Sequence, residues 1–257
     1  MSVHETAILD PLVRLGVDVE IAPYAVLGAG VTVGDRCRIG PHVYVQGPLE
    51  LGEECVVGAS AALGGDPQVK GKSGPFGATR IGRRNVFREF SQVNRSMVPD
   101  GTTVIGDDGY FMATAHIAHD CVLGNNVVVC NGTLLAGHIE AGDNAFVSGG
   151  VVCHQFVRIG ELAIIGGCAA IHLDVPPFCM AIGERPRDLE GLNKVGLRRA
   201  GLGPEVRRAL QAAYRTLFRG GLTLPERLKA VDRSVAEVAR LVSFVEASKR
   251  GVIGFHA

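Results

Sequence analysis

The chain has 257 residues, enough for one large domain or for a large domain and a small one, and 47% of them are hydrophobic. Lys+Arg and Asp+Glu number 26 each, so the net charge is zero and we expect no nucleic-acid partner. No run of 18 apolar residues occurs, so we predict no membrane span.

The cysteines and the N-terminal residues favour a cytoplasmic protein. Seven cysteines are an odd number and no Cys-x-x-Cys pair occurs, which makes a disulfide framework unfavourable. The first residues, MSVHETAILDPLVRLG, contain acidic residues and lack an apolar core of signal-peptide length.

A period of six residues organises the first two thirds of the chain. In steps of six from Leu15 to Ile171 there are 27 positions, and only Pro75 and Pro99 are not aliphatic, aromatic, Ala or Cys. A small residue, most often Gly, follows many of these positions and allows the chain to turn. We therefore predict an all-β, left-handed parallel β-helix of hexapeptide repeats, a triangular prism of roughly nine coils with 18 residues per coil.

Two stretches interrupt the regular hexads. Residues 65–79, GDPQVKGKSGPFGAT, and residues 94–103, NRSMVPDGTT, are polar and rich in Gly, Pro or Asp. We predict that both are loops leaving the prism, where ligand contacts are favoured.

Beyond Pro186 the six-residue period ends and helical spacing begins. Residues 203–221 carry Val206, Leu210, Ala213 and Leu217 on one helical face, and residues 223–248 predict two more helices with Thr223 and Ser234 as N-caps. We predict a β-helix domain over residues 1–185 and a small α-helical C-terminal domain over residues 186–257. Residues 184–257 hold 15 Lys+Arg against 8 Asp+Glu, which indicates either an acidic partner or ligand or a solvated helical surface rich in Arg.

Five of the eight histidines are predicted to share one edge of the prism. Residues whose numbers agree modulo 18 stack on successive coils, and the remainders of these five lie between 8 and 12: His116, His119, His138, His154 and His172. His4, His42 and His256 fall elsewhere. Prisms of this type usually pack about a threefold axis, so we expect a trimer that closes the histidine edge into a groove.

Two chemistries suit this edge, and a catalytically silent scaffold is a third possibility. In the first, one histidine removes the proton from an alcohol as it attacks a thioester, Asp120 orients His119, and a backbone N–H in the segment Leu135–His138 binds the oxyanion. In the second, three histidines bind zinc at a subunit interface, as in a carbonic-anhydrase-like enzyme.

The order of several motifs carries a family resemblance. AHIAHDC (Ala115–Cys121), LAGH (Leu135–His138), HQF (His154–Phe156), the GG to DVPP segment (Gly166–Pro177) and GLNKVGLRRAG (Gly191–Gly201) resemble the UDP-N-acetylglucosamine O-acyltransferases that begin lipid A synthesis. The resemblance covers nearly the whole chain. It implies a cytoplasmic homotrimer without metal or other cofactor, which transfers a 3-hydroxyacyl chain from acyl carrier protein to the 3-position of UDP-N-acetylglucosamine.

The resemblance also implies roles for individual residues. His119 would be the general base, Asp120 its partner, and Gly137 N–H the oxyanion donor. Contacts with the nucleotide sugar and pantetheine would come from His116, His138, His154 and Gln155. Phosphate groups would face Asn193, Arg198 and Arg199, acyl chain length would be set at Gly167, and the first loop would contribute Gln68 and either Lys70 or Lys72.

Three departures from the family pattern leave part of the substrate open. No acidic residue follows Gln68, the tripeptide Asn94–Ser96 stands where His-Arg-Gly is usual, and Ala200 replaces a common Arg. The acceptor therefore remains either UDP-N-acetylglucosamine or its 3-amino analogue. We expect these departures to lie at substrate contacts and to leave His119 and Asp120 untouched.

Overall fold

A computed structural model describes residues 1–186 and 188–255, and it confirms the left-handed parallel β-helix. Short strands from successive coils hydrogen-bond into three sheets that form the three faces of a prism. Four helices follow the last coil.

Three sheets contain all the strands of the described residues. Sheet 1 consists of Ser2–Val3, Glu20–Ile21, Arg38–Ile39, Val56–Val57, Val86–Phe87, Tyr110–Phe111, Val128–Val129, Phe146–Val147, Ile164–Ile165, Cys179–Ala181 and Gly191–Leu192. Sheet 2 consists of Ile8–Leu9, Val26–Leu27, Tyr44–Val45, Ala62–Gly65, Gln92–Asn94, His116–Ile117, Leu134–Leu135, Val152–Cys153 and Ala170–Ile171. Sheet 3 consists of Arg14–Leu15, Val31–Val33, Leu49–Leu51, Ala78–Ile81, Thr102–Ile105, Val122–Leu123, Glu140–Ala141 and Arg158–Ile159. All pairs are parallel except that of Cys179–Ala181 with Gly191–Leu192.

The strand register shows where the two predicted loops leave the prism. Most strands pair with residues 18 positions away, but Val56 pairs with Val86 and Gln92 pairs with His116. These spacings of 30 and 24 residues mean insertions of 12 and 6 residues, between the strands of sheet 2 and sheet 3. Val69, counted as an inward position from the sequence, lies in the first loop and not in a strand, as do Pro75 there and Pro99 in the second loop.

The prism interior is packed by the aliphatic and aromatic residues of the hexads. Phe87 and Phe111 are fully buried and stack with ring centroids 4.7 Å apart. All seven cysteines lie in the described part and are free, and six of them are buried. Burial raises the pKa of Cys153 to about 12, so this thiol is a packing group and not a nucleophile.

The corners between sheet 3 and sheet 1 carry a ladder of side-chain acceptors. In each pair, the side chain accepts from a backbone N–H at the equivalent turn position one coil below: Asp35 from Val17 at 2.8 Å, Asn125 from Asp107 at 2.8 Å and Asp143 from Asn125 at 2.7 Å. The first turn position at these corners is thus hydrogen-bonded, as buried or crowded backbone requires.

The helical part packs against the last coils. It contains α1 (Lys194–Arg199), α2 (Pro204–Arg219), α3 (Leu224–Ala230) and α4 (Ala236–Glu246). The predicted face of α2 is confirmed, since Leu210, Ala213 and Leu217 are buried.

The two predicted helix caps have different outcomes. Thr223 caps α3 together with Glu226, whose carboxylate accepts from Thr223 N–H at 2.9 Å. The prediction for Ser234 was wrong, because the N-cap residue of α4 is Val235 and the Ser234 N–H donates to Asp232 at 2.9 Å.

Two further predictions concern the whole chain. No helix of the described residues combines the length and the apolar character needed to cross a membrane. The division into domains at 185/186 stays a prediction; the last parallel strand ends at Ala181 and the first helix begins at Lys194.

Candidate active site

His119 and Asp120 form a hydrogen-bonded pair at a corner between sheet 2 and sheet 3. The Nδ1 atom of His119 lies 2.8 Å from Oδ2 of Asp120, so the predicted contact is present. Because a carboxylate only accepts, Nδ1 carries the proton and the lone pair lies on Nε2. Nε2 has no hydrogen-bond partner among the described residues, and the ring lines a groove.

The carboxylate of Asp120 is held by three donors. Besides His119, the hydroxyl of Ser96 donates to Oδ1 and the backbone N–H of Met97 donates to Oδ2 at 3.2 Å. Burial acts to raise the pKa of Asp120, but the hydrogen bonds from Ser96, His119 and Met97 outweigh it and hold the pKa below its usual value. The expectation that the altered tripeptide leaves this pair untouched was therefore wrong.

Gly137 lies one coil above His119 and directly against its ring. A Cβ atom at Gly137 would lie 2.5 Å from Cε1 and 2.8 Å from Nε2 of His119, so only glycine leaves room for the imidazole. At the corner between sheet 3 and sheet 1, the backbone N–H of the equivalent turn position donates to a side chain of the next coil. At Gly137 this N–H has no acceptor within the described residues. This N–H is free to bind an oxyanion close to the ring of His119.

His116 and Gln68 lie in the same groove as His119. The groove has a volume of about 750 Å³, and its lining includes both residues together with Gly137. Gln92 Oε1 lies 3.3 Å from Nδ1 of His116 and accepts from Gln68 Nε2 at 3.4 Å. Burial, and secondarily the nearby His119, lowers the pKa of His116, which favours its neutral form.

His138 packs beside the His119–Asp120 pair. Its ring meets the ring of His119 edge-on at 5.2 Å and stacks on Phe156 at 4.5 Å. Its Nε2 lies 3.8 Å from Oδ2 of Asp120. His138 therefore adds a third imidazole next to the pair, as the modulo-18 count predicted.

His154 and Gln155 are exposed, one coil further along the same edge. The ring of His154 lies 5.9 Å from that of His172, and its Nδ1 lies 2.7 Å from a guanidinium nitrogen of Arg250. Neither His154 nor Gln155 lines the groove around His119, so their predicted substrate contacts stay predictions.

Lys70 and Lys72 are both exposed in the first loop and make no ion pair with a described residue. The base of this loop is fixed differently, because Arg95 pairs with Asp66 at 2.5 Å and donates to Gly47 O at 2.8 Å. The structure brings Gln68 into the groove but neither lysine, so it does not decide between the two.

Asn193 is a helix cap, which does not favour the predicted contact with phosphate. Its side chain is buried, accepts from Gly196 N–H at 2.8 Å and donates to Leu162 O at 2.8 Å. Arg198 and Arg199 are exposed near the end of α1.

Arg198 borders a basic cleft at the junction of α1 and α2. The cleft has a volume of about 440 Å³, an apolar floor that includes Leu197, and the cations of Lys194, Arg207 and Arg208. None of these four cations forms an ion pair with another described residue. The cleft shares no lining residue with the histidine groove and is suited to an anionic partner.

Gly167 lies at the other side of sheet 2, at its corner with sheet 1. A Cβ atom there would meet only Gly149 O, at 3.4 Å, so space is open around it. Its predicted influence on acyl chain length stays a prediction.

The geometry does not favour a zinc site of three histidines. Ligand atoms of His119, Asp120 and His138 lie within 4.8 Å of one another. However, Nδ1 of His119 already donates to Asp120, and the same carboxylate accepts from Ser96 and Met97. A cation would have to displace this network, and the set contains two histidines rather than three.

Four contributors to the site were not predicted. Ser96, the Met97 N–H, Gln92 and Arg250 all contact predicted site residues. Gln92 could have been found by counting the six-residue insertion, since it then stacks under His116. We see no signal in the sequence for Arg250.

Profiles of two families match parts of the chain. A profile described as UDP N-acetylglucosamine O-acyltransferase, domain 2, matches residues 174–253. The bacterial transferase hexapeptide profile, described as six repeats, matches residues 13–47 and 30–65.

Curated proteins and solved structures are similar over nearly the full length. The acyl-[acyl-carrier-protein]–UDP-N-acetylglucosamine O-acyltransferase of Stenotrophomonas maltophilia is 43% identical over 258 residues, which cover 98% of this chain and 97% of that protein. A UDP-N-acetylglucosamine acyltransferase structure from Campylobacter jejuni has a TM-score of 0.92 and 35% identity, covering 99% of this chain and 100% of that one. A structure from Bacteroides fragilis has a TM-score of 0.94 and 31% identity, covering 98% and 99%.

Proposed function

The chain belongs to the family of UDP-N-acetylglucosamine O-acyltransferases, and we propose that it transfers a 3-hydroxyacyl chain from acyl carrier protein to the 3-hydroxyl of UDP-N-acetylglucosamine with His119 as general base. The observation that carries the assignment of His119 is its geometry. Its Nδ1 is bound to Asp120, and its Nε2 is unpaired within the described residues beside the Gly137 N–H.

These residues account for every proton and every charge that moves during the acyl transfer. Nε2 of His119 takes the hydroxyl proton as the sugar oxygen attacks the thioester carbonyl carbon. Asp120 stabilises the imidazolium that forms, and Gly137 N–H donates to the tetrahedral oxyanion. When the intermediate collapses, the carbon–sulfur bond breaks and the thiolate of the carrier takes the proton from the imidazolium.

Mass spectrometry of the reaction products tests this function. Purified protein is incubated with UDP-N-acetylglucosamine and 3-hydroxyacyl carrier proteins of several chain lengths, and the acylated nucleotide sugar is measured. We expect His119→Ala to lower kcat between about 10²- and 10⁴-fold. His42→Ala, on a different edge of the prism, is the matched control. Turnover by His119→Ala at the wild-type rate would remove His119 as the base.

The same assay decides the nature of the acceptor. The curated relatives are named O-acyltransferases, which favours the hydroxyl over the 3-amino analogue. Equal amounts of both nucleotide sugars offered in one reaction should give the ester as the main product. An excess of the amide would show that the 3-amino analogue is the preferred acceptor and that the reaction is N-acylation.

The basic cleft of the helical part is proposed as the docking site for acyl carrier protein, which is acidic. Its cations are unpaired among the described residues, and the Nε atom of Arg207 is buried without a hydrogen-bond partner. Arg207→Glu combined with Arg208→Glu should raise KM for the acyl carrier protein about tenfold and leave KM for the nucleotide sugar unchanged. Arg14→Glu, on the distant part of sheet 3, is the control.

We also propose a homotrimer in the cytoplasm. The outer face of sheet 1 is polar in its first three strands and then carries an apolar stripe of Val56, Val86, Tyr110, Val128, Phe146, Ile164 and Met180. Parallel sheets are normally covered on both faces, so a second copy is a suitable cover. Light scattering should give the mass of three chains, and Phe146→Glu should dissociate them. The free cysteines agree with a reducing compartment.

A further inference from the structure

The six-residue insertion in the second loop lies against the carboxylate of the active site. Its residues Ser96 and Met97 contact the two oxygens of Asp120. We propose that Ser96 is a positioning residue for acyl transfer, whose hydroxyl holds Asp120 in the orientation that accepts from His119. This inference rests on the proposed function for the role of His119.

Three contacts fix Asp120, two from this insertion and one from the strand Thr102–Ile105. The Ser96 hydroxyl donates to Oδ1, the Met97 N–H donates to Oδ2 at 3.2 Å, and the backbone N–H of Asp120 donates to Thr103 Oγ1 at 2.8 Å. With both carboxylate oxygens and the backbone nitrogen bound, the carboxylate cannot rotate away from His119. Without Ser96, Oδ1 would have no donor among the described residues.

The Ser96 hydroxyl is itself held in place. It is fully buried and accepts from Val98 N–H at 3.0 Å. Val98 O also lies 3.1 Å away, but the single hydroxyl proton goes to the ionised carboxylate because charge-assisted hydrogen bonds are stronger. Because the hydroxyl is buried and hydrogen-bonded, it holds the Asp120 carboxylate in a fixed position.

Gly101 makes the space that this hydroxyl occupies. A Cβ atom at Gly101 would lie 2.2 Å from Ser96 Oγ and 3.2 Å from Ser96 Cβ. Gly101 does not line the groove, and the nearest atom to the added Cβ is Ser96 Oγ, with Val98 Cβ at 3.1 Å. It therefore offers a second variant that retains the serine but displaces its hydroxyl.

Replacing Ser96 should shift the pH dependence of kcat/KM in a direction that a purely structural role does not predict. Without the Ser96 donor the carboxylate is free to turn away from Nδ1 of His119, so Asp120 stabilises the imidazolium less. The acid limb of the kcat/KM profile should then move to lower pH. His138 and His116 also face this pair and are unchanged by the substitution, and Cys121 is a buried thiol whose pKa burial raises to about 12, so it stays neutral.

The test compares wild type, Ser96→Ala and Gly101→Ala. For both variants we expect kcat to fall about tenfold, KM for both substrates to stay within about twofold, and the acid limb to move to lower pH. Adding Gly101→Ala to Ser96→Ala should lower kcat much less than it does alone, because both act through one hydroxyl. A Ser96→Ala enzyme with wild-type kcat and an unmoved acid limb would overturn the proposal.

A measurement without turnover separates this inference from the proposed function. NMR titration of the His119 ring in full-length protein should show a lower pKa for Ser96→Ala than for wild type. A wild type that forms no product would refute the acyl transfer, while the titration would still decide whether Ser96 acts on the His119–Asp120 pair. Identical titration curves would refute the role of Ser96.

Discussion

Arg250, near the end of the described chain, fixes the tautomer of His154. Its guanidinium nitrogen lies 2.7 Å from Nδ1 of His154, and its Nε donates to His172 O at 2.5 Å. The Gln155 carbonyl oxygen also lies 3.1 Å from that Nδ1, but a guanidinium can only donate. Nδ1 therefore accepts from Arg250, and Nε2 carries a proton that it can donate to a ligand.

Replacing Arg250 should weaken substrate binding at His154. In Arg250→Met the ring is free to rotate and to change tautomer, so we expect KM for the nucleotide sugar to rise about tenfold with kcat changed less than about threefold. Arg250→Lys, which keeps a donor, should show a smaller increase. Steady-state kinetics measures both, and an unchanged KM in Arg250→Met would show that this contact does not serve binding.

Replacing Gly137 should displace the ring of His119, the proposed general base. The added methyl of Gly137→Ala would lie 2.5 Å from Cε1 of His119, so the ring must move, and we expect kcat to fall at least about 10²-fold. Gly28→Ala is a control, since its Cβ would meet only ordinary contacts, the nearest at 3.5 Å. A crystal structure of Gly137→Ala with an undisplaced His119 ring would show that the loss of kcat does not come from movement of the ring.

His116 should make stability depend on pH. Burial, with His119 second, lowers its pKa from 6.5, so between that lowered pKa and pH 6.5 the unfolded chain binds more protons than the folded one. Its contribution to the free energy of unfolding is complete above about pH 6.5 and is lost as pH falls towards the folded pKa.

His116→Gln removes this dependence. Urea unfolding between pH 5 and 7.5 should show a shallower loss of stability on the acid side than in wild type. His4→Gln, at an exposed position, should retain the wild-type slope. An unchanged slope in His116→Gln would mean that burial does not shift its titration.

Gly167 should control the length of the acyl chain. Because the space beside it is open, Gly167→Met can be accommodated and would fill part of any apolar channel there. We expect preference to move towards donors several carbons shorter, by about tenfold or more in kcat/KM. Gly221→Met, whose Cβ would meet nothing within 4 Å, is the control, and an unchanged donor preference would remove Gly167 from the channel.

The β-helix could be predicted from the sequence because every sixth residue points inward and is apolar, whatever its neighbours are. Leu15 to Ile171 stay in one six-residue frame even though two loops leave the prism, because insertions of 12 and 6 residues are whole multiples of six. For the same reason the frame did not reveal the loops, and Val69 was counted as an inward residue. The polar composition of residues 65–79 and 94–103, together with Pro75 and Pro99, marked where the chain leaves the strands.

The site was predictable as far as the regular coil reaches. His119 and His138 lie in adjacent coils without an insertion between them, so counting placed them together. Ser96 comes from the insertion itself, where no repeat relates position to space. Arg250 reaches His154 from beyond the last helix, a contact that depends on how the helical part packs.

The burial of the cysteines has a practical consequence. Of the seven, Cys168 alone is exposed, and it follows Gly167 in the chain. A thiol reagent used at neutral pH would therefore modify Cys168 first. One fluorophore or spin label attached there would report on the neighbourhood of Gly167 from a native residue, without prior removal of the other thiols.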